Sequence, residues 1–375
     1  MKSWRRRVKE IVVAAWKKYY AWGIYRYYSS HYKRLLKLHH ISNVQAEGEE
    51  DYVRKWKVLS SKVEPYSYRF FSHFVGNTPN IIPENIGRSV IEGILNPRPY
   101  RAVYSDKNLF PEIIGKADVP RTLLCRIHGG GLLDGDYQYA DKDISCYLEG
   151  VNSAILKPSV NTKSGAGIVR FTREGGSFVS PEKGITLTKD YLLSYHHDFC
   201  LQETIEQHEQ MQRLCPTSVN TIRLCLYRSV VDEEPKITSG IVRIGKNGSV
   251  VDNIHAGGMR IGVDVRTGVL GKYVVDQYGR KSEVWNDIDY SRTNFVIPHW
   301  EGVLSFARYV GTRIHHHRLL ALDIAIGKTG KPILLEYNIH SFSYAPYMCT
   351  GQEVFGAYTD EIIAYCKKEQ GRRYD

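Results

Sequence analysis

Asp323, Glu336 and Asn338 are the residues whose types and spacing bear most directly on chemistry. They lie in LLALDIAIGKTGKPILLEYNIH, Leu319 to His340, where two apolar runs flank Gly327-Lys-Thr-Gly330, a sequence that favours a hairpin turn. A turn centred on Lys328 and Thr329 sets Asp323 opposite Leu334. Strand alternation then puts Leu334, Glu336 and Asn338 on the face that carries Asp323. Two carboxylates and an amide oxygen thus converge on an otherwise apolar hairpin. Acids on a largely buried face lose hydration and repel one another, and a divalent cation removes both costs. All-oxygen ligation suits Mg2+, which keeps waters and bridges to phosphates. A solvent-facing hairpin with ordinary surface acids would carry the same residues.

Two further segments suit a phosphate-bearing ligand. In SAILKPSVNTKSGAGIVRF, residues 153–171, two strand-like runs enclose a loop with Ser159, Asn161, Thr162, Ser164, Gly165 and Gly167, and Lys157 and Lys163 add positive charge. Small residues let backbone N–H groups approach a phosphate closely, although the GxxxxGK[ST] order is missing and a plain hairpin connection would read alike. In FCLQETIEQHEQ, residues 199–210, an apolar strand passes into an acidic stretch. The exit of such a strand can offer backbone groups to a purine and a carboxylate to a ribose. Strand-to-helix junctions of ordinary function share this composition.

Holding these residues requires strands. From about residue 101 the chain alternates short β-like runs with helical patterns. Strands are predicted at 122–127, 153–157, 167–171, 198–202, 221–227, 237–244, 319–326 and 332–338, and helices at 142–148, 205–213, 300–313 and 354–367. This texture predicts an α+β fold with mainly antiparallel sheets. Residues 41–100 are mixed and polar, and Pro65, Pro79, Pro83, Pro97 and Pro99 restrict them to short helices.

The first forty residues read as a helix, with Val8, Ile11, Val12, Ala15, Tyr19 and Trp22 at helical spacing. They hold eleven Lys or Arg against Glu10 alone, so +10 of the formal net charge of +11 sits there and the remaining 335 residues carry +1. A near-neutral body gives no footprint for nucleic acid. The leader's three Trp and six Tyr, interleaved with cations, suit an anionic membrane surface, and packing on the body with solvated charges suits them equally. Seven scattered cysteines without a CxxC pair, and an apolar run from Ile11 to Trp16 too short for a signal peptide, predict a cytoplasmic protein, with the leader a candidate contact to the inner membrane face.

Taken in order, these segments resemble the ATP-grasp superfamily, and most closely its sugar-transfer associated branch, over roughly residues 100 to 370. The Asp323, Glu336, Asn338 spacing resembles the metal ligand set of the D-alanine:D-alanine ligases. The resemblance implies two α+β lobes with antiparallel sheets holding ATP between them, a small lobe with the phosphate loop over 101–200 and a large lobe with the metal site over 201–375, preceded by the basic helical leader over 1–45 and the mostly helical region over 46–100. It implies ATP and Mg2+ as cofactors. Lys107 of the Asp106-Lys107 pair and Lys157 are the phosphate lysines, and the Ser159 to Gly167 loop, with Ser164 and Gly165, is the flap over the phosphates. Gln202, Glu203 and Ile205 form the adenine hinge, with Glu209 or His208 at the ribose and Arg223 beside the transferred phosphate. The implied reaction joins a carboxylate and an amine through an acyl phosphate, on sugar- or amino-acid-derived substrates of surface polysaccharide or capsule assembly. An ATP-grasp phosphotransferase and a non-catalytic membrane- or glycan-binding protein are the alternatives. VDNIHAGGMRIGVD at 251–264 also resembles the branch; His255, Gly257 and Gly258 either border the acceptor site or form a plain turn. Residues 41–100 depart from many ATP-grasp enzymes in lacking a βαβ pattern. No Ser-His-Asp or Cys-His arrangement competes, and His315, His316 and His317, being consecutive, read as a helix end with its cap.

Overall fold

Alternation in SAILKP gives the strand it predicts, with every second residue of β3 (Ser153–Pro158) buried. The computed structural model describes residues 2–160, 167–249, 252, 254 and 257–370. In its first sheet β3 joins β1 (Thr122–Arg126), β2 (Leu133–Asp134), β4 (Val169–Glu174), β5 (Ser177–Ser180), β6 (Ile185–Thr186) and β7 (Phe199–Glu203) in the order β2-β1-β7-β3-β4-β5-β6. Leu124, Leu156, Phe171, Phe199 and Leu201 form a core on one face. Lys157 pairs with Cys200, and alternation puts Ile155 and Gln202 with them on the other face.

The second sheet contains β8 (Thr221–Arg228), β9 (Pro235–Ile244), β10 (Met259–Val263), β11 (Leu270–Val275), β12 (Lys281–Ser282), β15 (Leu319–Ile326) and β16 (Pro332–Asn338), in the order β12-β11-β10-β9-β8-β15-β16; β13 (Val284–Trp285) and β14 (Ile288–Asp289) form a separate small ribbon. Every pairing in both sheets is antiparallel, as predicted. All eight residues of β15 are buried because β8 and β16 flank it and a core covers each face. Leu320, Leu322, Ile324 and Ile326 pack with the helix Trp300–Arg313, whose Val303, Leu304, Ala307 and Val310 recur at helical spacing. Leu319 and Ala321 point the opposite way, toward the N-terminal helical region. Asp323 shares their parity.

That helical region includes α2 (Glu49–Trp56) and α3 (Tyr66–Val75), whose Tyr52, Trp56, Phe70 and Phe71 pack with Tyr344 and Tyr347 in one core. Asn96, fully buried, ties it to the sheet by accepting from Leu319 N at 3.0 Å and donating to Leu319 O at 2.6 Å and Ile339 O at 2.7 Å. The first helix, α1 (Lys2–Leu38), is anchored at its C-terminal end, where Tyr32, Leu35 and Leu36 are buried and the Tyr32 hydroxyl donates to Glu84 at 2.7 Å. Toward its N-terminus Trp4, Ile11, Val12, Trp16, Tyr19 and Trp22 are exposed, with Trp4 at 69% and Tyr19 at 70%. Among the described residues no helix is long and apolar enough to cross a membrane.

Some expectations change. The helix predicted over 205–213 is one turn, Glu209–Gln212, because the chain before it is held extended: Gln207 bridges to Gly327 and His208 N donates to Ile326 O at 2.9 Å. The helix predicted over 142–148 shortens to Ile144–Tyr147. Strands β10 and β11 lie where Gly262 and Gly271 dilute the apolar pattern. His317 is buried, contacts Pro97 O at 3.4 Å and meets Tyr104 edge-on, and burial pushes its pKa down to about 4. Among the described residues no group of three or more His, Cys, Asp or Glu forms a metal cage.

Candidate functional site

The hairpin brings Asp323, Glu336 and Asn338 onto one face, but by a different register from the predicted one. Asp323 pairs with Glu336 and Ala321 with Asn338, whereas Ile324 pairs with Leu334, so a bulge at Leu335 separates the two stretches. The turn is longer than expected, running from Gly327 to Lys331, and would by itself send Glu336 to the other face. The extra bulge residue restores it. Leu334, predicted beside the acids, instead joins Tyr337 in the core under the Trp300–Arg313 helix.

Asp323 is 2% exposed and does not stand alone. Arg223, its partner on β8, donates to both carboxylate oxygens, Nε to Oδ1 at 2.7 Å and Nη2 to Oδ2 at 2.6 Å. Arg243 Nη1 lies 3.3 Å from Oδ2. Burial pushes the Asp323 carboxyl upward, but the Arg223 guanidinium overrides it and holds the group below the usual carboxylate range. Arg223 is in turn raised, because the pull of Asp323 outweighs its desolvation. Arg243 also pairs with Asp252 at 2.8 Å, and Asp252 accepts from the Thr221 hydroxyl.

The first sheet supplies the opposing side. Asp106 caps a short turn by accepting from Asn108 N at 2.9 Å, and Lys107 N donates to Ser159 O at 2.9 Å, which fixes Lys107 beside β3. Its ammonium is nearly buried and reaches Glu336 Oε1 at 3.3 Å. Lys157 faces the same space: burial pushes its pKa down, and Lys107 and Glu336 are close enough to act on it. Lys107, Lys157, Arg223, Asp323, Glu336 and Asn338 therefore come together where the two sheets approach each other.

The other expected residues divide. Ser159 is buried, with its N–H donating to Asp198 O at 2.9 Å. Gly167 has φ +80°, and a Cβ there would lie 2.9 Å from Pro158 Cγ and 3.0 Å from the Tyr195 hydroxyl, so the loop's return requires glycine. Ser164, Gly165 and His255 lie outside the described residues. Gln202 lies on the Lys157 face with its Oε1 buried and without a partner. Glu203 is paired with Arg121 at 3.0 Å and its backbone N–H with Arg121 O at 2.9 Å, which fixes the strand exit in place; Ile205 has no internal backbone partner among the described residues. Glu209 is exposed, and His208 acts as a helix cap, Nδ1 accepting from Gln210 N at 3.2 Å.

These residues fit a nucleotide with a cation. The orphaned Gln202 Oε1 lacks a donor that an adenine amino group has. Three guanidinium contacts and a side-chain hydrogen bond from Asn338 engage the Asp323 carboxylate, which keeps it ionised, and the half-buried Glu336 and Asn338 add oxygens on the same face. Sequence reasoning missed Arg243, Arg260, Asp252 and Tyr347. The first two had a signal: each is a lone cation inside an apolar strand, in GIVRIG and MRIGV.

Residues 88–359 match the family described as sugar-transfer associated ATP-grasp. No curated protein matches the chain. Among solved structures, the ADP complex of the purK N5-carboxyaminoimidazole ribonucleotide synthetase is 11% identical over 64% of this chain and 46% of its own, with a TM-score of 0.35. The same enzyme from Thermotoga maritima is 10% identical over 69% and 51%, also at 0.35. D-alanyl-alanine synthetase A from Vibrio cholerae O1 biovar eltor is 13% identical over 73% and 67%, at 0.40. The match thus spans about half the length of the two synthetases.

Proposed function

The chain belongs to the sugar-transfer associated ATP-grasp family, and on that premise we propose that it is an ATP-dependent carboxylate–amine ligase acting on a sugar- or amino-acid-derived component of surface polysaccharide. The observation that carries the reading is the Lys107–Glu336 contact of 3.3 Å, which joins the phosphate-lysine side of the cleft to the acid hairpin across from Lys157, Arg223 and Asp323.

In this reading Lys107 and Lys157 hold the ATP phosphates, and Gln202 and the Ile205 backbone receive the adenine. Asp323, Glu336 and Asn338 hold Mg2+, which when bound neutralises the β- and γ-phosphates. Arg223 is fixed by two bonds to Asp323, and its Nη1, without a partner among the described residues, faces the transferred phosphoryl group in this reading. The substrate carboxylate attacks the γ-phosphorus, the bond to ADP breaks, and an acyl phosphate forms. The amine then attacks the acyl carbon, phosphate leaves with the bonding pair, and the amine proton passes to solvent or phosphate. No side-chain nucleophile is needed, since positioning and charge lower the barrier. The test is ADP release with a carboxylate panel and hydroxylamine as the amine. Hydroxamate with ADP supports the ligase; ADP without hydroxamate selects the phosphotransferase; AMP contradicts both; failure to bind Mg-ATP in calorimetry leaves a non-catalytic protein.

We further infer that α1 docks on an anionic membrane surface. Its C-terminal end is anchored through Tyr32, so the exposed Trp4, Trp16, Tyr19 and Trp22 remain available in a segment of formal charge +10. Indole and phenol rings favour the headgroup region, and each cation adds about 1 kcal/mol at an anionic surface. The full chain should co-sediment with phosphatidylserine vesicles at low salt. Equal binding to phosphatidylcholine vesicles, or none to either, contradicts the inference.

A further inference from the structure

The cleft face of the second sheet carries a row of charge that changes sign from one side to the other. Glu336 on β16 and Asp323 on β15 form its acidic end, and Arg223 on β8 follows in register with Asp323. Arg243 on β9 and Arg260 on β10 pair directly, and Val275 on β11 links Arg260 to Lys281 on β12, so Arg243, Arg260 and Lys281 point to the same face.

The acids do not balance this basic end. Asp323 serves Arg223 and Arg243, and Asp252, the single acid in the β9–β10 connection, serves Arg243 and Thr221. Among the described residues the Arg260 guanidinium has neither an ion pair nor a hydrogen bond. Burial, with the neighbouring Arg223 and Arg243, outweighs the pull of Cys349 and Asp276 and pushes its pKa down to about 10. Lys281 rests over the Tyr273 and Phe74 rings at 4.5 Å from each, again without a carboxylate. A second unmet donor lies nearby. The Tyr347 hydroxyl is fully buried without a partner, within electrostatic reach of Arg223, Asp323 and Arg260. Adjacent strands are spaced about 4.8 Å, so Arg260 stands about 10 Å from the β8 strand of Arg223, within reach of long side chains and a small substrate.

We propose that Arg243, Arg260 and Lys281, with the Tyr347 hydroxyl, form the subsite for a carboxylate-bearing substrate, seated on the basic side of the position where phosphate is transferred. The sheet then sorts its ligands by charge: nucleotide and cation at the acidic end, the organic anion at the basic end. The unmet buried Tyr347 hydroxyl and a cation with no ion pair among the described residues each cost stability that such an anion would return. The proposal deepens the ligase reading by assigning its carboxylate a place, and uses residues outside the nucleotide and metal sets.

The test is calorimetry on the full chain with glucuronate and uncharged glucose as paired probes, in the presence of Mg2+ and a non-hydrolysable ATP analogue. Wild type is expected to bind glucuronate at least about tenfold more tightly than glucose. Arg260→Gln should lose about tenfold or more in glucuronate affinity, Arg260→Lys less, and Tyr347→Phe several-fold, as for charge-assisted bonds. Affinity for the ATP analogue should stay within about twofold in all three. The Arg260→Gln midpoint of unfolding should hold or rise, because a cation without a partner is removed; an arginine retained for packing would lower it. Equal binding of the two sugars, unchanged glucuronate affinity in Arg260→Gln, or a matching loss of ATP-analogue affinity would overturn the proposal. A chain that binds glucuronate through Arg260 yet ignores the analogue would refute the ligase reading and leave the anion site standing.

Discussion

Asp323 and Glu336 are assigned the same role, yet the structure holds them in unlike ways, and replacing each by its amide separates ligation from packing. Asp323 is 2% exposed and takes two bonds from Arg223, at 2.7 and 2.6 Å, and a third contact from Arg243 at 3.3 Å. Asp323→Asn leaves two guanidiniums facing a neutral amide, and breaking a buried pair in this way costs about 3–5 kcal/mol. Glu336 has a side chain 37% exposed and, among the described residues, an ion pair with Lys107 at 3.3 Å, so Glu336→Gln should cost about 0–1 kcal/mol. An unfolding entropy of about 2.1 cal/mol/K per residue gives about 0.8 kcal/mol/K for this chain, so the midpoints should fall by about 4–6 °C and by about 1 °C or less, respectively. ADP formation should fall by about a hundredfold or more in both, if each loses a cation ligand worth several kcal/mol at the transition state. The pH dependence adds a sign. The folded Asp323 pKa lies below its ordinary 3.8, so its stabilisation is complete above that value and vanishes as pH falls through the lower folded value. The gap between wild type and Asp323→Asn should close in that acid window. Calorimetric melts from pH 3 to 8 alongside an ADP assay read both effects. A Glu336→Gln enzyme with wild-type turnover, or an Asp323→Asn protein as stable as wild type at pH 7, would refute this reasoning.

Lys157→Met should leave the ligand-free protein at least as stable as wild type near pH 7, because burial lowers the lysine pKa; that advantage should shrink as pH rises from the folded pKa toward 10.5, and ATP-analogue affinity should drop about tenfold or more in calorimetry. Glu64 is buried and its pKa is raised to about 7 by desolvation, so its contribution to stability is full below 4.5 and lost as pH rises through 7; Glu64→Gln should flatten that slope in urea titrations. Deleting residues 1–26 should move the midpoint by about 1 °C or less, since exposed surface contributes little, while Tyr32→Ala should cost about 3–5 kcal/mol through the lost packing and the Glu84 hydrogen bond.

Much of the site was legible because its key residues break strong patterns. A single acid in LLALDIAI stands out in a strand buried on both faces, and Lys157 interrupts SAILKP in the same way. The shared face of Asp323, Glu336 and Asn338 was read correctly for an incomplete reason. The turn is one residue out of the expected register and the bulge at Leu335 adds another, and the two displacements cancel in parity. Bulges leave no compositional mark, so neither displacement was readable alone. The Glu203–Arg121 ion pair was not readable, because the two residues lie 82 apart in sequence. The Arg243–Arg260 pairing escaped for a related reason: β10 is a short strand beside glycines, and only the sheet order brings the two guanidiniums together.

The Lys107–Glu336 bridge has a thermodynamic corollary. In the nucleotide reading each arriving ligand claims one half of it, phosphate taking the lysine and cation the glutamate. A bare nucleotide would leave Glu336 facing like charge, and a bare cation would leave Lys107 facing like charge. Each visitor therefore lowers the cost of admitting the other, and by reciprocity the preference is the same in both directions. The protein should take up the two together as a matched couple, holding its own internal placeholder until both arrive.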